Sequence, residues 1–321
     1  MKRLLISFVI AAGIVCILSA CSRGKGDGLI HVGIINNPPT ESGYREANVI
    51  DFERVFTEEN GYKAQTFYST VHYEQLNAAR QFISDGVDYL LISARSTDGW
   101  DSVLRSARDA GIRVFLFDRM INVPESYFEA AVVSDMVRQG DMAVRWLSNQ
   151  RLDVFNVVHI QGAMGSDAQV GRTAALDREF ASGAMNKIHQ QTATWDEDEA
   201  TNIVRSVIQS GASFNVIYAE NDGMARGAVT ALTEAGISHG INGDVIIIGF
   251  DANKWALREL LAGNWNYNGQ CSPFQAAAID EMIKILESGG TLTTKIVISD
   301  EIGFDARTIT QADIDTHGLG E

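Results

Sequence analysis

Short apolar runs alternate with longer stretches of helical period along most of the chain. The runs at 89–92 and 245–248 are continuously apolar, which is typical of strands covered by helices on both faces of a parallel sheet. The same pattern predicts strands at 29–35, 64–68, 88–93, 113–117, 155–160, 187–193, 215–219 and 245–250, a short run at 266–270 and a strand-like segment at 295–299.

The segments between these runs carry apolar residues at helical spacing. Trp100, Val103, Leu104 and Ala107 follow an i, i+3, i+4, i+7 pattern before Gly111, and stripes of this kind face a core. Regular alternation of strand and helix predicts an α/β fold with right-handed crossovers. The order of the elements suggests two such units in succession.

The N-terminus differs from the rest of the chain. Lys2 and Arg3 precede a long apolar segment that is typical of an export signal. The segment ends in the letters LSAC, which resemble the lipobox of bacterial lipoproteins, and that resemblance implies cleavage before Cys21 and lipidation of its thiol. We therefore expect a signal peptide at 1–20 and a lipid-anchored tether at 21–28. An ordinary cleaved signal with a chance cysteine is the alternative.

Composition excludes several classes of protein. Cys16 would leave with the signal and Cys21 would be lipidated, so Cys271 alone remains and no intramolecular disulfide is available. The formal net charge of −15 argues against binding nucleic acid or an anionic membrane surface through general electrostatics. Plain solubility explains this charge equally well.

Motifs for nucleotide and metal chemistry are missing. The chain contains no GxGxxG, no GxxxxGK[ST] and no HExxH, and its six histidines lack ligand spacing. No pair of acidic residues stands out as a glycosidase pair. We therefore predict no cofactor, no metal and no catalytic residue.

Polar and aromatic residues cluster where the predicted strands end, which is where open α/β sheets bind ligands. The candidates are Glu41, Ser42, Tyr44, Arg45, Asp118, Arg119, Arg172, Trp195, Asn221, Asp251 and Gln270. A sugar needs such a mixture, because each hydroxyl both donates and accepts hydrogen bonds and the ring faces stack on aromatic planes. Taken singly, an Asp–Arg pair is more often a surface ion pair, and Asn221 is also a good helix N-cap.

Five segments carry a resemblance to a known family. They are ESGYR at 41–45, TDGW at 97–100, VFLFDR at 114–119, YAEND at 218–222 and IGFD at 248–251. With them, the chain resembles the type I periplasmic sugar-binding proteins of ABC importers, in the ribose- and galactose-binding group, and within that group the galactofuranose-binding proteins. The segment NNP at 36–38 is closer to the ribose type, so the sugar stays open between galactofuranose or galactose and a ribose-like one.

The resemblance implies two doubly wound parallel-sheet lobes joined by three crossovers, near Val133, Gln270 and Ser299. The N-terminal lobe would comprise 29–133 plus 271–298, and the C-terminal lobe 134–270 plus 299–321. Asp118 and Arg119 would bind ring hydroxyls. The other implied contacts are Tyr44, Arg45, Arg172, Trp195 as a stacking aromatic, Asn221, Asp251 and Gln270.

These features together predict a periplasmic or otherwise extracytoplasmic lipoprotein that is not an enzyme. It would capture a monosaccharide and deliver it to an ABC transporter permease as a monomer, touching the membrane through its lipid alone. A sugar-sensing input protein for a membrane kinase or chemoreceptor is the alternative. A transcription regulator is disfavoured because an export signal stands where its DNA-binding helices would be. We expect Asp118→Ala or Arg172→Ala to abolish sugar binding and leave the fold intact.

Overall fold

The computed structural model describes residues 26–320. The predicted signal peptide and Cys21 lie outside the described residues. Within them the strands are β1 (Ile30–Asn36), β2 (Tyr62–Tyr68), β3 (Tyr89–Ile92), β4 (Arg113–Asp118), β5 (Ala130–Val133), β6 (Asn156–Gln161), β7 (Asn186–Thr192), β8 (Val216–Ala219), β9 (Ile246–Asp251), β10 (Tyr267–Gln270), β11 (Ile296–Ile298) and β12 (Gly303–Asp305).

Helices occupy most of the segments between the strands. They are α1 (Gly43–Val55), α2 (His72–Asp85), α3 (Asp101–Asp109), α4 (Met136–Ser148), α5 (Asp167–Ser182), α6 (Glu197–Gln209), α7 (Asp222–Glu234), α8 (Lys254–Leu261), α9 (Ala276–Glu287) and α10 (Gln311–His317). No helix in the part of the chain that the structure describes is long and apolar enough to cross a bilayer.

The strands form two six-stranded sheets with matching topology. The first has the order β11-β5-β4-β3-β1-β2 and the second β12-β10-β9-β8-β6-β7. We call the part of the molecule around the first sheet the N-lobe and the part around the second the C-lobe. Between the described strands the chain passes from one sheet to the other three times, after β5, after β10 and after β11. The predicted pair of doubly wound α/β lobes with a three-crossover hinge is confirmed.

Each sheet is covered on both faces. Leu90 and Ile92 of β3 join one apolar cluster, whereas Tyr89 and Leu91 join another on the opposite face. Such alternation follows from the two-residue period of a strand, and it explains why this run is apolar at every position.

Two strands lack a clear signal in the sequence. β5 consists of two alanines and two valines, and alanine has little preference for strands. β12 has three residues and pairs antiparallel with β10, so one edge of the second sheet departs from the parallel pattern. β5 directly precedes the first chain crossing and β12 follows the third, so both lie where the chain changes lobe.

Candidate functional site

A small cavity lies between the carboxyl ends of the two sheets. It is lined by Glu41, Ser42, Tyr44, Asp118 and Arg119 from the N-lobe, by Met136, Ala168, Arg172, Trp195, Asn221 and Asp251 from the C-lobe, and by Cys271 from the second crossover. The structure therefore brings nine of the residues singled out in the sequence to one place.

Asp118 ends β4 and forms the centre of the N-lobe wall. Its carboxylate accepts hydrogen bonds from Tyr44 Oη at 2.8 Å, from Arg45 Nη2 at 2.6 Å and from Ser93 Oγ at 2.7 Å. Burial alone would raise the pKa of Asp118, but the guanidinium groups of Arg45 and Arg119 outweigh it and hold this pKa at about 2. The carboxylate is thus ionised and fixed in direction.

Arg45 lies beneath this wall and does not line the cavity. Besides Asp118, its guanidinium donates to Asn36 Oδ1 at 2.8 Å and to Asn48 Oδ1 at 3.1 Å. The sequence placed Arg45 among the ligand contacts. Its observed place, fully buried behind Asp118, instead makes it the group that orients that carboxylate.

Arg119 follows Asp118 and reaches the cavity itself. Its Nη2 lies 3.6 Å from Glu41 Oε2, and its Nε lies 3.3 Å from Asp118 Oδ2. The Nε–H has no partner with hydrogen-bond geometry although it is buried. A buried donor without a partner is costly, and a ligand oxygen in the cavity would relieve it.

Arg172, on α5, is the cation of the C-lobe wall. Its Nε donates to Gln139 Oε1 at 2.9 Å, its Nη1 donates to the carbonyl oxygen of Glu220, and its Nη2 lies 3.4 Å from Asp251 Oδ1. The guanidinium also stacks on Phe250, with Cζ 4.6 Å from the ring centroid. These contacts hold the planar group in one orientation.

Asp251 ends β9 and stands beside a second buried acid, Asp222. Asp222 accepts from the backbone and side-chain nitrogens of Asn253 at 2.8 and 3.0 Å and from Asn268 Nδ2 at 2.5 Å. Burial raises the pKa of both carboxyl groups, and Arg172 opposes this increase at Asp251. Asp222 lies outside the cavity and anchors the loop after β9.

Trp195 supplies an aromatic face to the cavity. A Cβ built on Gly162 would lie 1.9 Å from the Trp195 ring atom Cη2, so the absence of a side chain at Gly162 is what lets the indole lie there. Trp195 Nε1 is buried and has no hydrogen-bond partner among the described residues. Asn221 holds the neighbouring loop, because its Nδ2 donates to the Trp195 carbonyl at 3.4 Å and its Oδ1 caps α7.

The backbone is strained at the site. Asp118, Trp195 and Asp251 have φ values of 66°, 74° and 106°, in the left-handed region that residues with a Cβ rarely adopt. Such strain persists where the surroundings fix the chain, and it is common at binding sites. Here it turns three side chains from strand ends toward one cavity.

The lobes are in contact across the mouth of the cavity. The backbone N–H of Met120 donates to Asp167 Oδ2 at 2.9 Å, and that of Thr97 donates to the Gly165 carbonyl at 3.0 Å. Both bonds join the N-lobe to the C-lobe, and neither involves a residue of the three crossovers. The structure therefore shows the closed arrangement of the lobes.

Gln270 is the second predicted contact that does not line the cavity. Its side chain accepts from the Ile302 backbone N–H at 3.3 Å and lies 3.4 Å from His317 Nδ1. Three lining residues were not predicted, Met136, Ala168 and Cys271. Met136 and Ala168 belong to helical stretches of apolar and small residues, where nothing in the sequence separates a cavity-facing position from a core-facing one.

The chemistry of the cavity suits a small neutral molecule rich in hydroxyl groups. Carboxylates and guanidinium groups are paired within each wall, so neither sign of charge dominates. Among residues 26–320, no three His, Cys, Asp or Glu side chains are grouped so that they could hold a metal ion. The walls offer acceptors, donors and an aromatic face together, as binding of a polyol requires.

Comparison with known proteins agrees with this architecture. The family model described as a periplasmic binding protein domain matches residues 32–290. The fructose import binding protein FruE of Bifidobacterium longum (strain NCC 2705) is 28% identical over 321 residues, covering 96% of this chain and 95% of that protein. The galactofuranose-binding protein YtfQ of Escherichia coli (strain K12) is 27% identical over 231 residues, covering 70% and 72%.

A solved structure shows the same fold. The crystal structure of a galactofuranose binding protein superposes with a TM-score of 0.82 at 24% identity and covers 90% of this chain and 98% of that one. The family model spans both lobes and most of the hinge described above. The chain therefore belongs to the periplasmic binding protein family.

Proposed function

We propose that this protein is an extracytoplasmic solute-binding lipoprotein that captures a monosaccharide between its lobes and delivers it to the permease of an ABC importer. One observation carries the proposal. Ionisable side chains from both lobes, Asp118 and Arg119 on one side and Arg172 and Asp251 on the other, converge on one cavity.

The charge balance of the cavity favours a neutral sugar. Each buried cation already has a carboxylate within 3.4 Å, as in the pairs Asp118–Arg119 and Asp251–Arg172. A phosphorylated sugar would add charge that no unpaired cation offsets, and burying such charge is costly. Hydrogen bonds from a neutral hydroxyl to these charged groups each contribute about 1.5–3 kcal/mol.

The lining of the cavity favours a single sugar ring, because only twelve of the described residues line it. Trp195 and Tyr44 offer aromatic surface for the C–H faces of a ring. We propose galactofuranose, galactose or a ribose-like sugar as the ligand. The name of the relative from Bifidobacterium adds fructose to the candidates.

Closure of the lobes would be the signal that the permease reads. A ligand that contacts both walls binds the closed form more tightly than the open one, and so it increases the closed population. The hydrogen bonds Met120–Asp167 and Thr97–Gly165 form in that closed form. No bond in the sugar is broken in this cycle.

A thermal-shift screen followed by titration calorimetry tests the function. The panel contains D-ribose, D-fructose, D-galactose and methyl β-D-galactofuranoside, with D-ribose 5-phosphate as the charged control. We expect at least one neutral sugar to bind at one site per chain and the phosphate to bind much more weakly. Failure of every neutral sugar, or preference for the phosphate, would contradict the proposal.

The lipid anchor is tested separately. We propose that Cys21 carries the lipid, and metabolic labelling with a fatty acid in a bacterial host should label the wild-type chain and not Cys21→Ala. The variant should also separate from the membrane fraction. Equal labelling of both chains would show that Cys21 is not the site.

A further inference from the structure

The three crossovers of the hinge meet at one carboxylate. Glu301 lies on the third crossover, between β11 and β12, and is buried. Its Oε1 accepts from Ser134 Oγ on the first crossover at 2.6 Å and from the Ser272 backbone N–H on the second at 2.8 Å. A single side chain thus joins all three chain passages.

The other oxygen of Glu301 points toward the sugar-binding wall. Glu301 Oε2 accepts from Gln139 Nε2 at 2.6 Å, and Gln139 Oε1 accepts from Arg172 Nε at 2.9 Å. Both bonds are buried. The three residues therefore form one chain of hydrogen bonds that runs from the hinge to a cation lining the cavity.

The direction of this chain is fixed by chemistry. A carboxylate can only accept, and a guanidinium can only donate, so the amide of Gln139 must present its nitrogen to Glu301 and its oxygen to Arg172. If the amide turned over, oxygen would face oxygen at Glu301 and N–H would face N–H at Arg172. Each such contact would leave a buried group unsatisfied.

The groups that donate to Glu301 are all neutral. Burial raises the pKa of Glu301, and the hydrogen bonds from Ser134, Gln139 and Ser272, together with the more distant charge of Arg172, oppose that increase. Among the described residues no cation lies within ion-pair distance of Glu301, so these neutral donors fix the position of its carboxylate.

We propose that Glu301 is a positioning residue that holds Arg172 in its cavity-facing orientation through Gln139, from the point where the three crossovers meet. The proposal rests on the proposed function in one respect, that Arg172 contacts the sugar. In this arrangement the orientation of Arg172 depends on the geometry of the hinge. Any rotation at the crossovers moves the Glu301 carboxylate, which accepts the hydrogen bond from Gln139.

A charge swap between Glu301 and Gln139 isolates this role. In Glu301→Gln the new amide nitrogen at 301 faces the amide nitrogen of Gln139. Gln139 must then turn its amide over, which places its own N–H groups against the Nε–H of Arg172. In Gln139→Glu two carboxylates face each other. In the double variant the new amide at 301 donates to the new carboxylate at 139, which accepts from Arg172, so every donor again has an acceptor.

The main measurement needs no sugar. The ¹⁵N–¹H signal of Arg172 Nε, assigned through its loss in Arg172→Lys, should shift and exchange faster with solvent in each single variant and recover in the double variant. Titration with the neutral sugar that binds the wild type best should show roughly tenfold weaker binding in Glu301→Gln and near wild-type binding in the double variant. Glu281→Gln, which removes an exposed carboxylate, is the matched control.

The outcomes separate the two proposals. An unchanged Arg172 Nε signal in Glu301→Gln, or a double variant no better than the worse single variant, would overturn the role of Glu301. If the wild type binds no sugar, the proposed function fails, while the Nε signal still decides this inference. If Glu301→Gln does not fold, the comparison of Gln139→Glu with the double variant decides the question. Recovery of the Arg172 Nε signal in the double variant supports the role of Glu301, and no recovery overturns it.

Discussion

Arg45 Nη2 donates to Asp118 Oδ2 at 2.6 Å, and both side chains are almost completely buried. Asp118 thus lines the cavity and also neutralises the Arg45 cation inside the N-lobe. Removing one partner of a buried ion pair is strongly destabilising, because it leaves the other charge without compensation.

Asp118→Ala should therefore lose stability as well as binding, contrary to the expectation from sequence that the fold would stay intact. We expect a loss of about 3–5 kcal/mol in the free energy of unfolding, measured by urea titration. Arg45→Met combined with Asp118→Leu should regain much of this stability and still not bind sugar. Equal stability of Asp118→Ala and the wild type would show that the pair matters little to the fold.

Gly43→Ala should hinder closure of the lobes. A Cβ at this position would lie 2.1 Å from Asn253 Oδ1 of the C-lobe, and the Asn253 side chain is held by its 3.0 Å hydrogen bond to Asp222. Such overpacking costs about 1–3 kcal/mol, so sugar binding should weaken by roughly tenfold or more. The melting temperature of the sugar-free protein should change little if the open form dominates there.

Removing the obstructing group provides the control for Gly43→Ala. Asn253→Ala takes away the atoms that the new Cβ would meet. The double variant should therefore bind sugar more tightly than Gly43→Ala alone in calorimetry. A double variant as weak as Gly43→Ala would mean that the lobes do not approach each other at this point.

Gly162→Ala should displace Trp195 from the cavity. The new Cβ would fall within the indole ring, so we expect sugar affinity to drop by about tenfold or more. Gly223→Ala is the matched control, because its Cβ would meet no atom closer than 3.7 Å and alanine suits its helix. Equal affinities for the two variants would argue against Trp195 as a sugar contact.

Sugar affinity should depend on pH through Asp167. Burial raises the pKa of Asp167 to about 6 in the closed form, where it accepts from Met120, and in the open form we expect a value near 3.9. Closure then takes up a proton. Its stabilising contribution is complete below the open-form pKa and is lost as the pH rises through about 6.

Between pH 7 and pH 5 this linkage should tighten sugar binding by roughly tenfold. Asp167→Asn keeps an acceptor for the Met120 N–H but cannot titrate, so the slope of affinity against pH should be smaller by that factor. Titration calorimetry at both pH values measures the two slopes. Identical slopes for variant and wild type would assign the proton to other groups.

The positions that the sequence identified best are those at strand ends. Asp118, Arg119 and Asp251 directly follow apolar runs, and the topology of a doubly wound sheet places such positions at the ligand-binding edge whatever the details of packing. The direction of a side chain is harder to predict. Arg45 turns behind Asp118 and Gln270 turns toward Ile302, and both orientations depend on partners distant in the chain.

The sequence carries no local signal for the hydrogen bonds that support the site. Glu301 is hydrogen-bonded to Ser134, Gln139 and Ser272, which lie on other segments of the chain. No periodic pattern in the sequence links these four residues. Asp222 could be read as part of a helix start, but its bonds to Asn268 emerge only from the pairing of β9 with β10. Contacts of this kind become visible when the fold is known.

A crystal structure of the protein grown with its best-binding neutral sugar tests the central claim most directly. We predict one sugar ring in the cavity, against the Trp195 indole, with its oxygens within hydrogen-bond distance of Asp118 and Arg119 on one side and Arg172 and Asp251 on the other. Sugar density elsewhere on the molecule, with the cavity holding only water, would contradict it.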